Sequence, residues 1–211
     1  MQRLHRSSVY FRRPADLHVV GRKYGSTVVR LTCVGSEFLF AFPTEKEFYY
    51  RLAGEQRASV DFSVSPADIA REMFFPEDWA DIDRERVGMT DFDPESQTVE
   101  VAVATAGRRA VKRRLTIKGP PWVVVENERL NRRGEVVAVT SAGGYRLVEG
   151  VYLPTWTESV FPLDATRMRL DFRKIIPNAE IPDAYFDIQA QAAQLGIQLD
   201  RVPGAAQQGE Y

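Results

Sequence analysis

Short runs in which apolar and polar residues alternate, each closed by a turn signal, dominate this chain and point to an antiparallel sheet with one buried face. From Thr27 the run Val28-Val-Arg-Leu-Thr-Cys33 sets Val29, Leu31 and Cys33 on one face, and Gly35-Ser36 then turns the chain into Glu37-Phe-Leu-Phe-Ala-Phe42. This reads as a hairpin whose second strand carries Phe38, Phe40 and Phe42 on one face, a large apolar surface. Pro43-Thr-Glu-Lys46 marks the next turn, before Phe48-Tyr-Tyr50. Further candidate strands cover 59–64, 98–105, 109–118, 122–131, 135–141, 145–147, 155–161 and 168–175. Glycine-containing loops such as Asn131-Arg-Arg-Gly134 and Ala142-Gly-Gly144 join several of them. Short turns pair successive strands, and inherent twist curls a meander of that many strands toward a barrel or half-barrel.

With 211 residues the chain suits one core, so a single domain over 1–202 is expected, with 203–211, rich in Gly, Ala and Gln, as a disordered tail. The formal charge of −1 gives no global field toward nucleic acid or an anionic bilayer. Cys33 is the only cysteine and the histidines are His5 and His18, which excludes a disulfide framework and every Cys/His zinc pattern; no cofactor is expected. No apolar run approaches the ~20 residues that cross a bilayer. The first residues hold no apolar signal core, and Val9-Tyr-Phe-Arg-Arg-Pro14 reads as the end of an extended segment already under way, so an N-terminal element is expected to be missing.

Helix is signalled twice. Ser65 suits an N-cap, Pro66 the first helical position and Asp68 the first turn; Ile69 and Met73 then share a face, with Ala70 and Phe74 beside them, until Pro76. A second short helix is expected over 187–195. Between them, 76–95 is acidic and reads as a loop with one helical turn.

Catalytic signals are sparse. Two histidines in the basic N-terminal stretch poorly support a serine or cysteine triad, and there is no nucleophile elbow, Walker loop or dinucleotide turn. Asp81, Asp83 and Glu85, then Asp91, Asp93 and Glu95, alternate as calcium-loop ligands do, but without the glycine and distal glutamate of such a loop. Solvated loop carboxylates are the simpler reading, and a glycosidase pair among them is invisible to spacing alone. The cluster Arg108-Arg-Ala-Val-Lys-Arg-Arg114 lies in a strand and reads as a charged outer face, with anionic lipid headgroups as the other reading. Cys33, facing with Leu31 and Val29, reads as a small buried hydrophobe.

The apolar excess says more. A sheet that closes only partway leaves Leu31, Phe38, Phe40, Phe62, Val101, Val103, Leu115, Ile117, Leu170 and Phe172 lining a concave face, with Ile69, Met73, Phe74 and Trp79 as its cover. A solidly packed core with no cavity is the alternative.

The order of these pieces resembles the bacterial lipoprotein-carrier superfamily of LolA and LolB and its uncharacterised lipoprotein relatives. The resemblance rests on Arg13-Pro14 before a strand, the hairpin ending Val34-Gly-Ser-Glu-Phe-Leu-Phe-Ala-Phe-Pro43, and the Ser65-Pro-Ala-Asp-Ile69 helix. Tyr152-Leu-Pro154, Met168-Arg-Leu-Asp-Phe-Arg-Lys-Ile-Ile-Pro-Asn178 and Ile181-Pro-Asp-Ala-Tyr-Phe186 extend it, so that it covers 11–187. It implies a mainly β (α+β) fold: an unclosed antiparallel β half-barrel with a short helical lid over a hydrophobic cavity. It also implies non-enzymatic binding of lipid or lipoprotein acyl chains, in transport to the outer membrane. The compartment implied is the periplasm or outer membrane, reached through an anchor upstream of this chain, with a cytoplasmic location still open. No nucleic acid is expected as a partner, and membrane contact is expected only through such an anchor or through headgroups. No residue here matches the family's lid-controlling arginine or its protruding membrane-active leucine. Two other classes stay open: an envelope protein-interaction or sensor module with a packed core, and a hydrolase using Asp and Glu.

Overall fold

A computed structural model describes residues 6–12, 16–35, 37–51, 85–105, 111–199 and 207–210. Contacts group the chain into two compact units, Met1–Arg71 with Glu180–Tyr211 and Glu72–Ala179, where the sequence suggests one domain over 1–202.

The first unit is an antiparallel sheet in the order β1-β2-β3-β4-β5-β15, made of β1 (Arg6–Arg12), β2 (Asp16–Lys23), β3 (Ser26–Val34), β4 (Glu37–Phe42), β5 (Glu47–Arg51) and β15 (Gln207–Glu210). Residues directly opposite across strands share a face. One face therefore carries the row Val9, Val19, Leu31, Phe40 and Tyr49, and the other carries Tyr10, His18, Thr32, Leu39 and Tyr50. The second of these faces packs against the only α-helix among the described residues, α1 (Ile188–Gln194): Leu39, Ala41, Phe48 and Tyr50 form a buried cluster with Ile188, Ala192 and Ile197. The Asp187 carboxylate accepts a hydrogen bond from the Ala190 N–H at 3.0 Å and caps this helix, which satisfies an otherwise orphaned donor.

The second unit holds a seven-stranded antiparallel sheet in the order β14-β13-β10-β9-β8-β7-β6. Its strands are β6 (Glu85–Asp93), β7 (Thr98–Thr105), β8 (Val111–Lys118), β9 (Val123–Leu130), β10 (Val136–Gly143), β13 (Trp156–Phe161) and β14 (Thr166–Asp171). A separate hairpin, β11 (Arg146–Val148) with β12 (Val151–Leu153), forms a two-stranded sheet. Neither large sheet closes on itself: among the described residues no pairing joins β1 to β15 or β6 to β14. The class is therefore mainly β, antiparallel and unclosed, with a short helix, and not a closed barrel.

Several elements differ from the sequence reading. Glu85–Asp93 is a strand, not part of a loop, and a β-bulge explains why its pattern misleads. Val87 and Met89 pair with Val103 and Val101; the register then shifts at Thr90, so that Asp91 opposes Glu100 and Phe92 opposes Val99. The extra residue breaks the period of two that identifies a strand. Gln207–Glu210, within the segment read as a disordered tail, pairs with β5 from Gln207↔Tyr50 to Glu210↔Glu47. The last strand of the main sheet starts at Thr166 and ends at Asp171, short of the 168–175 expected. The strand expected at 59–64 and the helix of 65–74 lie outside the described residues.

Candidate functional site

Each sheet has one face on which predicted lining residues meet. In the seven-stranded sheet, Val101 sits directly opposite Leu115, and Ile117 opposite Val99; Leu170, on β14, opposes Thr157, which opposes Ala142. The register thus sets Val101, Leu115, Ile117 and Leu170 on one face of the same sheet, with Phe172 half-buried just past the end of β14. In the six-stranded sheet, Leu31 faces Phe40 across the β3–β4 pair and Phe38 faces Cys33, which is fully buried as expected. Phe62 and the proposed cover, Ile69, Met73, Phe74 and Trp79, lie outside the described residues.

The apolar face of the seven-stranded sheet is graded. One row crosses every strand: Met89, Val101, Leu115, Asn127, Thr140, Ser159 and Met168. At the β6 end Met89 is 68% exposed, with Val87 at 51% and Phe92 at 48%. Val101 is half-buried, and Leu115 is down to 7%. The middle of the row is buried and polar. Thr140 and Ser159 share a hydrogen bond at 3.0 Å, and Arg113 donates to the Asn127 side-chain carbonyl at 3.3 Å, so these groups meet their hydrogen-bonding needs inside the sheet. The Thr157 hydroxyl on the same face is buried with no hydrogen-bond partner among the described residues.

The opposite face of this sheet is charged. Arg114 pairs with Glu128 at 3.3 Å, Arg167 with Glu158 at 2.8 Å and Arg169 with Asp171 at 3.0 Å. Arg169 also lies over the Trp156 ring, 4.7 Å from its centroid. Within the described part of the basic cluster, Arg114 faces the charged side, whereas Arg113 is buried on the apolar side with Leu115, as the alternation of the run predicts. Asp93 holds its turn by accepting hydrogen bonds from the Ser96 hydroxyl and the Glu95 N–H, which keep its carboxyl below the usual range. Asp91 and Asp93 are exposed, as solvated carboxylates are.

Sequence reasoning missed Val87, Met89 and Phe92 because the bulge hides their common face, and it missed the Asn127-Thr140-Ser159 row because polar residues at inward positions carry no apolar signal. The helix-covered cluster around Leu39 and Ala41 also escaped it. Glu37-Phe-Leu-Phe-Ala-Phe42 is apolar at five successive positions, and such a run does not say which of its faces packs.

No known family model matches this chain, and no curated protein matches its sequence. Solved structures do match its fold. A DUF1329 family protein from Desulfovibrio piger aligns at TM-score 0.55 with 11% identity, over 87% of this chain and 80% of that one. An outer membrane lipoprotein-sorting protein domain from Vibrio parahaemolyticus aligns at TM-score 0.54 with 7% identity, over 88% and 82%. A LolA superfamily protein from Nitrosomonas europaea aligns at TM-score 0.39 with 12% identity, over 81% and 80%. At such identities the likeness is one of fold alone: the chain shares its unclosed antiparallel β fold with the first two of these structures.

Proposed function

We propose that this chain binds acyl chains of lipid or lipoprotein on the apolar face of its seven-stranded sheet, without catalysis, as a carrier in the cell envelope. The observation that carries this reading is the exposed apolar edge. Val87, Met89 and Phe92 stand 48–68% exposed on one face of β6, continuous with Val99, Val101 and Ile117 on the next two strands. Single exposed hydrophobes are ordinary, but a contiguous set on one face marks a binding surface. An acyl chain gains ~0.8 kcal/mol per buried methylene, so a few such side chains hold one without polar machinery. The shared fold with a lipoprotein-sorting domain supports the same reading.

Mass spectrometry of organic extracts from natively purified protein, followed by displacement of a fluorescent fatty acid, tests it. Bound lipid and saturable uptake are expected, with uptake weakened about tenfold or more in Met89→Asp, where a charge must be desolvated against hydrocarbon. Empty protein with no uptake, or unchanged uptake in Met89→Asp and Phe92→Ser, overturns it. A second reading, an interaction module with a packed core, is favoured by the burial of Leu31, Phe38 and Leu115, at 8%, 2% and 7% exposure. A stoichiometric protein partner recovered with lipid-free protein would select that reading.

A further inference from the structure

The β2–β3 hairpin carries its charge and its aromatic residue where the fold has least need of them. The last pair between β3 and β4 is Arg30↔Ala41, yet β2 and β3 stay paired beyond it through Gly21↔Val29, Arg22↔Thr27 and Lys23↔Ser26. β1 runs alongside this ribbon, with Arg6 opposite Arg22. Arg6, Arg22 and Lys23 are all exposed at this end, and none of them forms an ion pair with a described residue.

At the apex stands Tyr24, 87% exposed, with its ring 5.7 Å from the Lys23 ammonium. Tyr24 and Gly25 have φ of +53° and +89°, the positive pair that a type I′ turn needs. Asn-Gly is the favoured sequence for that turn, and a bulky residue in the left-handed region is strained. Tyr24 thus presents an exposed ring at the apex, beside the Lys23 cation, in a backbone conformation that a bulky side chain rarely adopts.

Charge is unevenly spread along the whole sequence. Residues 1–36 hold seven Lys and Arg against the single acid Asp16, a balance of +6 in a chain whose total is −1. Among the described residues of this sheet, the acids at the same end are Glu45, between β4 and β5, Glu47 at the start of β5 and Glu210 at the end of β15, all across β3 and β4 from the ribbon.

We propose that the ribbon formed by Arg6, Arg22, Lys23 and Tyr24 docks the protein on a membrane surface rich in anionic phospholipid. The cations meet phosphate groups. The tyrosine, apolar in its ring and polar at its tip, sits at headgroup depth, where such side chains concentrate. A lipid surface fits better than nucleic acid because the ribbon presents a compact tip of three cations and a ring, without the extended basic track that follows a phosphate backbone. This role goes beyond acyl binding and lies on a different unit from the apolar face argued above.

Vesicle flotation of the whole chain provides the test, with vesicles of phosphatidylcholine alone and of phosphatidylcholine mixed with phosphatidylglycerol. Binding to the anionic vesicles only is expected, and it should be lost as salt rises from about 0.1 to 0.5 M. Each cation near an anionic surface changes partitioning about fivefold, so Arg22→Ser with Lys23→Ser should weaken binding roughly 25-fold, and Tyr24→Ser should weaken it less. Far-UV circular dichroism and fatty-acid displacement should stay at wild-type values in these variants, which separates failure of the docking ribbon from failure of acyl binding. Equal flotation with neutral vesicles, unaltered binding by the double variant, or tighter binding to a single-stranded oligonucleotide than to the anionic vesicles overturns the proposal.

Discussion

Lowering the pH from 7 to 5 should destabilise the six-stranded sheet through His18 more than its neighbouring carboxylates can explain. His18 is 2% exposed on the face that carries Tyr10 and Thr32, and its Nδ1 shares a 2.8 Å hydrogen bond with the Thr32 hydroxyl. Tyr185, from the short 3₁₀ turn Asp183–Tyr185, stacks on Tyr10 at 4.3 Å and lies 5.4 Å from the imidazole. The charged group acting on it is Arg30, whose guanidinium donates to the side-chain carbonyls of Gln191 and Gln194 on α1. Burial, and then the Arg30 charge, lower its pKa from 6.5 to about 4. A histidine held neutral in the fold costs nothing above pH 6.5. Below it, the unfolded chain takes up a proton that the folded chain refuses, so stability falls until the folded pKa near 4 is reached. Over that window the loss approaches about 3 kcal/mol, of which about 2 kcal/mol has gone by pH 5.

Urea titrations at pH 7, 6 and 5 read this directly, since about 2 kcal/mol moves the midpoint by close to 1 M at a typical slope. The probe must report the right unit: Trp79, Trp122 and Trp156 all lie in 72–179, so amide exchange along β2 and β3 is the appropriate signal. His18→Gln keeps a polar group beside Thr32 and removes the titration, so its stability should change little between pH 7 and 5. Wild type and His18→Gln losing stability in parallel over that range would refute the reasoning, because the fall would then belong to other groups.

Three further outcomes follow from local geometry. Gly143 opposes Trp156, and a Cβ built on it would lie 2.5 Å from the indole, so Gly143→Ala must displace the ring; a loss of ~1–3 kcal/mol in urea, with altered near-UV circular dichroism, is expected. Asp187→Ala removes the α1 cap and should cost ~1 kcal/mol, read as faster amide exchange at Ala190, while Asp187→Asn should retain most of the stability. Tyr24→Asn places the residue that the type I′ turn prefers at φ +53° and should raise stability by ~1 kcal/mol, with the midpoint of amide exchange along β2 and β3 in urea moving upward.

How much was legible depended on how strictly each strand kept its period. Val28 to Phe42 reads correctly as a hairpin because Gly35 follows a clean alternation, and Val101, Leu115 and Ile117 fall on one face because β7 and β8 alternate without interruption through most of their length. The reading fails where backbone irregularity resets the count. The bulge after Met89 turned a strand into an apparent acidic loop, and β2 carries little apolar signal beyond Leu17, Val19 and Val20. It also fails where pairing is non-local: Gln207–Glu210 has no strand-like composition of its own and is ordered by its registration against Phe48 and Tyr50. The helix at Ile188–Gln194 was expected over 187–195, but its burial site was not legible, since nothing local says that Ile188 and Ala192 meet Leu39 and Ala41 some 150 residues earlier.

The two faces of the seven-stranded sheet bear on function more than any single residue does. A sheet built for stability alone, with one face charged by Arg114, Glu128, Glu158 and Arg167, would gain by covering its other face completely and by placing charge along β6 to discourage edge pairing. β6 places Asp91 and Asp93 toward the charged side and spends a bulge to return Phe92 to the apolar side beside Val99. Without the bulge, Asp91 would fall on the apolar face and Phe92 on the charged one, reversing both. The irregularity thus enlarges an exposed apolar surface at the expense of ladder regularity, an arrangement that disfavours the isolated chain and that covering Met89 and Phe92 with any apolar partner would make favourable.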